Sequence, residues 1–156
     1  MPRLDIVALS DGEIVGHVIS TIAKVSDCKG IDHEVLCVGP ISVTTGLQGK
    51  GIGSQLMRHS IGVATIMGFK AMILFGDPAY YSRFGFENAQ RYTIVTRDNQ
   101  NFDPFMALEL QPGSLTGITG RFFEDDAFLT TETDLEFFEK LFPAREKGKP
   151  KIILPI

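Results

Sequence analysis

The residues best suited to chemistry begin in a glycine-rich loop, Gln48-Gly49-Lys50-Gly51-Ile52-Gly53-Ser54. Glycines let an anion approach the backbone closely, and a helix that starts at such a loop presents unpaired N–H groups and the positive end of its dipole. The pattern predicts an anion-binding site, with phosphate as the best-suited ligand. A tight turn that needs glycine only for its backbone angles is the alternative.

Two common nucleotide signatures do not fit this loop. A P-loop needs G-x-x-x-x-G-K-[ST], but Thr44 stands where the first glycine would be and Gly51 follows Lys50. A dinucleotide fingerprint counted from Gly49 places Ser54 at its third glycine. The loop therefore disfavours ATP and NAD as ligands.

A second segment with reactive side chains is GDPAYYSRFGF, residues 76–86. Asp77 followed by Pro78 predicts the start of a short helix. Tyr80 and Tyr81 would point about 100° apart on that helix, so we do not expect both to serve one reacting atom. A tyrosine with a reference pKa near 10 keeps its proton at neutral pH.

Strands must position these residues, and the hydrophobic pattern predicts three of them before the loop. The β-rich runs Leu4–Leu9 and Ile14–Val25 are joined through Asp11-Gly12, a strong signal for an antiparallel hairpin. A third run, residues 34–43, contains Gly39-Pro40. Because proline cannot donate a ladder hydrogen bond, we expect a bulge or a splay there.

A helix and another strand are predicted after the loop. Gly68 stands where a helix takes its left-handed terminal residue, after an apolar stripe at helical spacing formed by Ile52, Leu56, Val63 and Met67. Residues 70–76 are the nearly continuous apolar run of a buried strand. Strand, loop, helix and strand make a βαβ unit, whose two strands should be parallel.

Composition narrows the class of protein. With 156 residues, 44% hydrophobic and 22% charged, the chain has the size of one domain, and its net charge of −4 gives no broad reason to expect nucleic acid. No apolar run approaches the roughly 20 residues that cross a bilayer, so we expect a cytoplasmic protein without a membrane partner. Cys28 and Cys37 lack the spacing of a zinc site, and we expect reduced thiols and no metal.

The loop and the segment at 76–86 resemble one family. Gln48 to Gly53 fit Q/R-x-x-G-x-G/A, the acetyl-coenzyme A (acetyl-CoA) pyrophosphate loop of the GNAT superfamily of N-acetyltransferases. GDPAYYSRFGF resembles the segment after that family's fifth strand, where a tyrosine precedes a Gly-Phe pair, and FMALELQPGSL resembles a bacterial branch of predicted acetyltransferases. Together the resemblance covers roughly residues 4 to 128.

The resemblance implies an α/β fold of the GNAT type, an α+β mixed sheet with a splayed central parallel strand pair, and acetyl-CoA as cosubstrate. Pantetheine would lie between the splayed strands. The implied cofactor-binding residues are Ile41 and Val43 on the strand and Gln48, Gly49, Lys50, Gly51, Ile52, Gly53 and Ser54 around the pyrophosphate. A solvated side chain is an equal alternative for Lys50.

The activity that the resemblance implies is transfer of an acetyl group to a primary amine of a small molecule or a protein. Tyr81 would protonate the leaving CoA thiolate; a packing role is its alternative. The hairpin starts by Leu4, so we expect the family's usual N-terminal strand and two helices to be missing. A noncatalytic acyl-CoA-binding or regulatory module is therefore the alternative function.

The base that would deprotonate the amine is not singled out by spacing. Asp32, His33 and Glu34 precede the strand that we expect to splay, and His17 lies on the second predicted strand. A solvated or structural role is the alternative for each of them.

Residues 1–128 are predicted to form the GNAT-like domain, and residues 129–156 a helix and tail. Thr133 with Glu136 fits a capping box, and the helix that follows has an apolar stripe of Leu135, Phe138, Leu141 and Phe142, ended by Pro143. We expect this stripe to pack on the same domain or on a partner subunit, which makes a homodimer possible. The tail is predicted to be a charged, solvated segment with an apolar end at Ile152–Leu154 that could form a strand.

Overall fold

A computed structural model describes residues 2–143 of the chain. Its strands are β1 (Asp5–Ser10), β2 (Glu13–Ser26), β3 (Asp32–Val43), β4 (Ala71–Phe75), β5 (Glu87–Asn88), β6 (Ile94–Val95), β7 (Phe105–Glu109) and β8 (Gly120–Phe123). Its helices are α1 (Ile52–Ile66), α2 (Pro78–Tyr81) and α3 (Glu132–Glu139), with short 3-10 turns between elements.

The strands form one mixed sheet in the order β5-β7-β4-β3-β2-β8-β6, and β1 pairs with β2. The long strand β2 pairs with β1 through its first half and with β8 through its last three residues. Asp11 and Gly12 both have positive φ, at 52° and 83°, which is the backbone that a two-residue hairpin turn requires. The predicted antiparallel hairpin is confirmed.

The central strands β3 and β4 are parallel, as the predicted βαβ unit requires, and α1 connects them. Their ladder consists of the pairs Leu36 with Met72 and Cys37 with Ile73, although β3 continues to Val43. The two strands therefore separate just before Gly39-Pro40, where the sequence predicts a bulge or a splay. The edge of β3 that faces β4 is left without a strand partner beyond this point.

Two apolar clusters lie on the two faces of the sheet. Neighbouring residues of β3 contribute to different clusters: Leu36 packs with the buried Leu56 and Met57 of α1, and Cys37 packs with Phe105 and other residues on the opposite face. The amphipathic stripe predicted for α1 thus faces the sheet. Because α1 is anchored through this stripe, the loop before it is fixed relative to β3.

The N-terminus of α3 differs from the prediction. The capping box is formed by Thr131 and Asp134: the Thr131 hydroxyl accepts from the Asp134 N–H, and the Asp134 carboxylate accepts from the Thr131 N–H. The predicted box of Thr133 with Glu136 is wrong, because Thr133 lies inside the helix. A pattern that requires glutamate or glutamine at the third helical position overlooks Asp134.

The apolar stripe of α3 is exposed. No residue of α3 is buried within residues 2–143, and the exposed fractions of Phe138 and Leu141 are 58% and 66%. The expected packing on the same domain is therefore not seen in this part of the chain, and packing on a partner subunit stays a prediction. The predicted charged tail and apolar end lie outside the described residues.

Candidate active site

The glycine-rich loop leads directly into the N-terminus of α1. Gly49 and Gly51 have φ of 75° and 88°, a left-handed backbone that glycine adopts without steric cost. The N-cap of α1 is Gly51, which has no side chain to accept a hydrogen bond from the helix. The first N–H groups of α1 therefore have no capping side chain, and they are available to an anion.

The side chain of Gln48 holds the loop against β3. Its Nε2 donates to the carbonyl oxygen of Val43 at 3.0 Å. The Thr44 N–H, just before the loop, donates to the carbonyl of Val15 on β2 at 2.9 Å. Both bonds tie the loop to the sheet, so the distance between the end of β3 and the start of α1 is fixed.

A cleft of about 360 Å³ lies between the splayed end of β3, the loop and the segment that follows β4. Its lining residues are Ile41, Ser42, Val43, Leu47, Gln48, Gly49, Gly51, Ile52, Gly53, Ser54, Tyr80 and Arg83. Eight of the nine residues predicted to bind the cofactor are in this lining. The ninth, Lys50, is exposed and lies outside the lining.

Four lining residues were not predicted from the sequence. Leu47 directly precedes the motif, and Ser42 stands between the predicted Ile41 and Val43, so including the chain neighbours of the predicted residues would have found both. Tyr80 and Arg83 come from a separate segment after β4. No local pattern indicates that Tyr80 and Arg83 face the loop; the packing of α2 decides it.

Tyr80 makes close contact with the start of α1. Its hydroxyl lies 2.9 Å from the position that a Cβ atom on Gly53 would occupy. Gly53 has an ordinary helical backbone, so this contact, rather than backbone angle, is the physical reason for glycine here. The guanidinium carbon of Arg83 lies 4.9 Å from the centre of the Tyr80 ring.

Tyr81 points to a different place from Tyr80, as expected from helical spacing. Its ring packs directly over Gly76 at the end of β4, where any Cβ atom would overlap it, and makes an edge contact with Phe86. Tyr81 is not part of the cleft lining. Burial, with a smaller contribution from Tyr80, raises the pKa of the Tyr81 hydroxyl. The hydroxyl therefore keeps its proton at neutral pH.

Three of the candidate bases lie at the far end of β3. Asp32 accepts hydrogen bonds from Lys24 and Ser26, which lower the pKa of its carboxyl group, and His33 lies 3.7 Å from Asp27. Asp32 is seven residues before Gly39, or roughly 23 Å along an extended strand. Asp32, His33 and Glu34 are therefore not brought to the splay.

His17, the fourth candidate, lies beside the cleft. It stands directly opposite Ser42 in the β2–β3 ladder, and Ser42 is a lining residue. Its Nε2 atom is 2.6 Å from Asp5 Oδ1 on β1. Among the four candidate bases, His17 is the one that the fold places next to the wall of the cleft.

The thiols differ in accessibility. Cys28 is exposed, and Cys37 is buried on β3, shortly before the splay. Burial, with the nearby Glu124 and Asp125 adding to it, raises the pKa of the Cys37 thiol to about 12. A thiol that stays protonated at neutral pH is a poor nucleophile, so Cys37 is a core residue rather than a reactive one.

The geometry agrees with what known proteins show. The model of the family described as "Acetyltransferase (GNAT) domain" matches residues 5–88, which is more than half of the chain. This chain belongs to the GNAT family of acetyltransferases. A relative of this GNAT protein is the uncharacterized N-acetyltransferase YhbS of Escherichia coli K12, 31% identical over 118 residues that cover 75% of this chain and 69% of YhbS.

Two solved GNAT structures are similar to this one. Escherichia coli YhbS in complex with CoA has a TM-score of 0.72 and 30% identity, covering 80% of this chain and 68% of that one. A GNAT acetyltransferase from Brucella melitensis in complex with acetyl-CoA has a TM-score of 0.61 and 28% identity, covering 78% and 66%. They confirm the predicted mixed α+β sheet of the GNAT fold.

Among the helices of residues 2–143, none has the length and apolar character needed to cross a membrane. In the same part of the chain, no three His, Cys, Asp or Glu side chains are grouped so that they could hold a metal ion.

Proposed function

We propose that this GNAT protein binds acetyl-CoA and transfers its acetyl group to a primary amine. The observation that carries the proposal is the cleft, in which the splayed end of β3, the glycine-rich loop and the uncapped N-terminus of α1 form one continuous surface. The CoA and acetyl-CoA complexes of the two similar structures support this choice of cosubstrate.

The fit of the residues to acetyl-CoA follows from their hydrogen-bonding groups. A pyrophosphate would accept from the N–H groups at the start of α1 and in the loop, where Gly49 and Gly51 leave the backbone accessible. Pantetheine would run along Ile41 to Val43, because the amide groups on that edge of β3 have no partner in β4. No charged side chain of the protein is needed for pantetheine.

The reaction is direct attack of a neutral amine on the thioester carbonyl. A carbon–nitrogen bond forms, the carbon–sulfur bond breaks, the nitrogen loses a proton and the CoA thiolate gains one. We assign the proton for the thiolate to Tyr81, whose raised pKa keeps the hydroxyl protonated and which lies at the end of β4 next to the splay. For the proton of the amine, His17 is the candidate base that we retain.

A thiol-release assay across a panel of amines, with small polyamines and lysine peptides included, tests this function. We expect acetyl-CoA to bind in calorimetry and at least one amine to release free CoA. Binding without CoA release from any amine would favour a noncatalytic acyl-CoA-binding module instead. Absence of binding would exclude both functions.

We further propose that a second copy of this chain covers the exposed stripe of α3. Leu135, Phe138, Leu141 and Phe142 are each about half or more exposed, and the rings of Phe138 and Phe142 are in contact, with their centres 5.0 Å apart. Apolar patches of this kind commonly mark interaction sites.

The cytoplasmic location remains a prediction.

A further inference from the structure

The proposed acetyl-CoA cleft contains one cationic side chain that does not belong to the glycine-rich loop. Among the described residues that line the cleft, Arg83 is the only one with a charged side chain. Lys50, the cation of the loop itself, lies outside the lining. We propose that Arg83 holds the pyrophosphate of acetyl-CoA together with the N-terminus of α1. The proposal rests on the proposed function.

Arg83 is held in place by its neighbours. It lies in the 3-10 turn Ser82–Phe84 that follows α2, and its Nη2 donates to the carbonyl of Ala79 at 3.3 Å. Its guanidinium group lies over the ring of Tyr80, 4.9 Å from the ring centre. A side chain that is already oriented loses less conformational entropy when it binds a ligand.

Tyr80 connects Arg83 to the anion site. The Tyr80 hydroxyl abuts Gly53, the second residue of α1, while the face of the same ring carries the guanidinium. Arg83 and the first N–H groups of α1 are therefore on two sides of one aromatic side chain. This arrangement favours the pyrophosphate, the group expected at the loop, over the more distant 3′-phosphate of the coenzyme.

The chemistry of the guanidinium group suits this ligand. It offers five N–H donors in a rigid fork and stays charged at every physiological pH, so after the bond to Ala79 it can still bind phosphate oxygens in pairs. The protein carries a net charge of −4, so attraction for a polyanion has to be local. Arg83 supplies that local charge at the cleft.

A matched pair of variants tests the assignment. Arg58 is also exposed and also lies over an aromatic ring, 5.4 Å from the centre of Phe84, but it is outside the cleft. We expect Arg83→Gln to weaken CoA binding about 10- to 100-fold in calorimetry, the range for a lost charge-assisted contact, while Arg58→Gln changes it less than about 2-fold. Thermal unfolding would verify that both variants are folded.

A series of CoA analogues identifies which phosphate group of the coenzyme Arg83 contacts. Dephospho-CoA lacks the 3′-phosphate and keeps the pyrophosphate, so Arg83→Gln should weaken its binding by the same factor as for CoA. Pantetheine has no phosphate, so the wild-type protein and Arg83→Gln should bind it with equal affinity. Arg83→Lys, which keeps the charge but loses the fork, should recover part of the affinity.

Three results would overturn the assignment. An effect of Arg83→Gln that disappears with dephospho-CoA would place Arg83 at the 3′-phosphate. If Arg83→Gln binds CoA as tightly as wild type, Arg83 does not hold the pyrophosphate. The same follows if Lys50→Gln loses CoA affinity and Arg83→Gln does not. Both results would leave the acetyl-CoA proposal intact. If the wild-type protein binds neither CoA nor dephospho-CoA, the proposed function fails as well.

Discussion

The side-chain amide of Gln48 donates a hydrogen bond to the carbonyl oxygen of Val43, with an N–O distance of 3.0 Å. Val43 is the last residue of the splayed strand, and Gln48 is the first residue of the loop motif. The bond therefore joins the two parts of the cleft that would hold pantetheine and pyrophosphate. Its role is to set their spacing, in addition to whatever the Gln48 backbone contributes to binding.

Replacing Gln48 by alanine should raise the KM for acetyl-CoA by about 2- to 10-fold, the usual worth of one neutral hydrogen bond, with a smaller change in kcat. Steady-state kinetics at saturating amine would measure both constants. Glu13→Gln, a change at the exposed start of β2, serves as the control. Equal KM values for wild type and Gln48→Ala would contradict a bracing role.

Tyr81→Phe should lower kcat by about 100-fold or more, the range for loss of a general acid, and leave the Kd for acetyl-CoA nearly unchanged. The matched variant is Tyr80→Phe, which loses the hydroxyl that faces Gly53. It should keep most of kcat. If both variants retain full turnover, or if Tyr80→Phe has the larger effect on kcat, Tyr81 is not the proton donor.

Gly53→Ala should impair acetyl-CoA binding because its new methyl group would meet the Tyr80 hydroxyl at 2.9 Å. Since the obstacle is one oxygen atom, adding Tyr80→Phe should restore much of the lost affinity. Calorimetry on the two single variants and the double variant gives the coupling between the residues. Purely additive effects would mean that Tyr80 and Gly53 do not meet in solution.

The free energy of unfolding should depend on Cys37 in alkaline solution. The pKa of this thiol is about 12 in the folded protein and ordinarily 9.0, so the unfolded chain loses the proton first. The stabilisation is complete below pH 9 and is lost as the pH rises towards 12, with a slope of up to about 1.4 kcal/mol per pH unit.

Urea unfolding of wild type and Cys37→Ala between pH 8 and pH 10.5 would measure this slope. The alanine variant is less stable at every pH because it leaves a cavity, so the comparison concerns slopes only. Cys28→Ala, at an exposed thiol, should keep the wild-type slope. Parallel curves for wild type and Cys37→Ala would show that the thiol is not buried.

The stripe of α3 should mediate self-association. Phe138→Glu places a charge in the middle of the exposed apolar surface, and it should shift a wild-type dimer to monomer in light scattering over a range of protein concentrations. Glu136→Gln on the same helix is the control. A wild-type protein that remains monomeric at the highest concentration would exclude the proposed homodimer.

Much of the fold could be predicted because the relevant preferences act between chain neighbours. Asp11-Gly12 specifies a turn through its own backbone angles, and Gly39-Pro40, where proline lacks an N–H, coincides with a register shift in the ladder between β2 and β3. The loop could be recognised for the same reason, since Gly49 and Gly51 adopt left-handed angles within a few residues of a helix start. Such local signals do not need the rest of the chain.

Only the tertiary structure decided which side chains meet at the cleft. Tyr80 and Arg83 reach the loop from a segment about 30 residues away, whereas Lys50, inside the motif, points outside the lining. Their positions depend on how α2 packs at the end of β4, and that packing brings together residues that are distant in the chain, such as Tyr80 and Gly53. A residue's type and local spacing carry no information about such contacts, because they form only when the whole sheet is assembled.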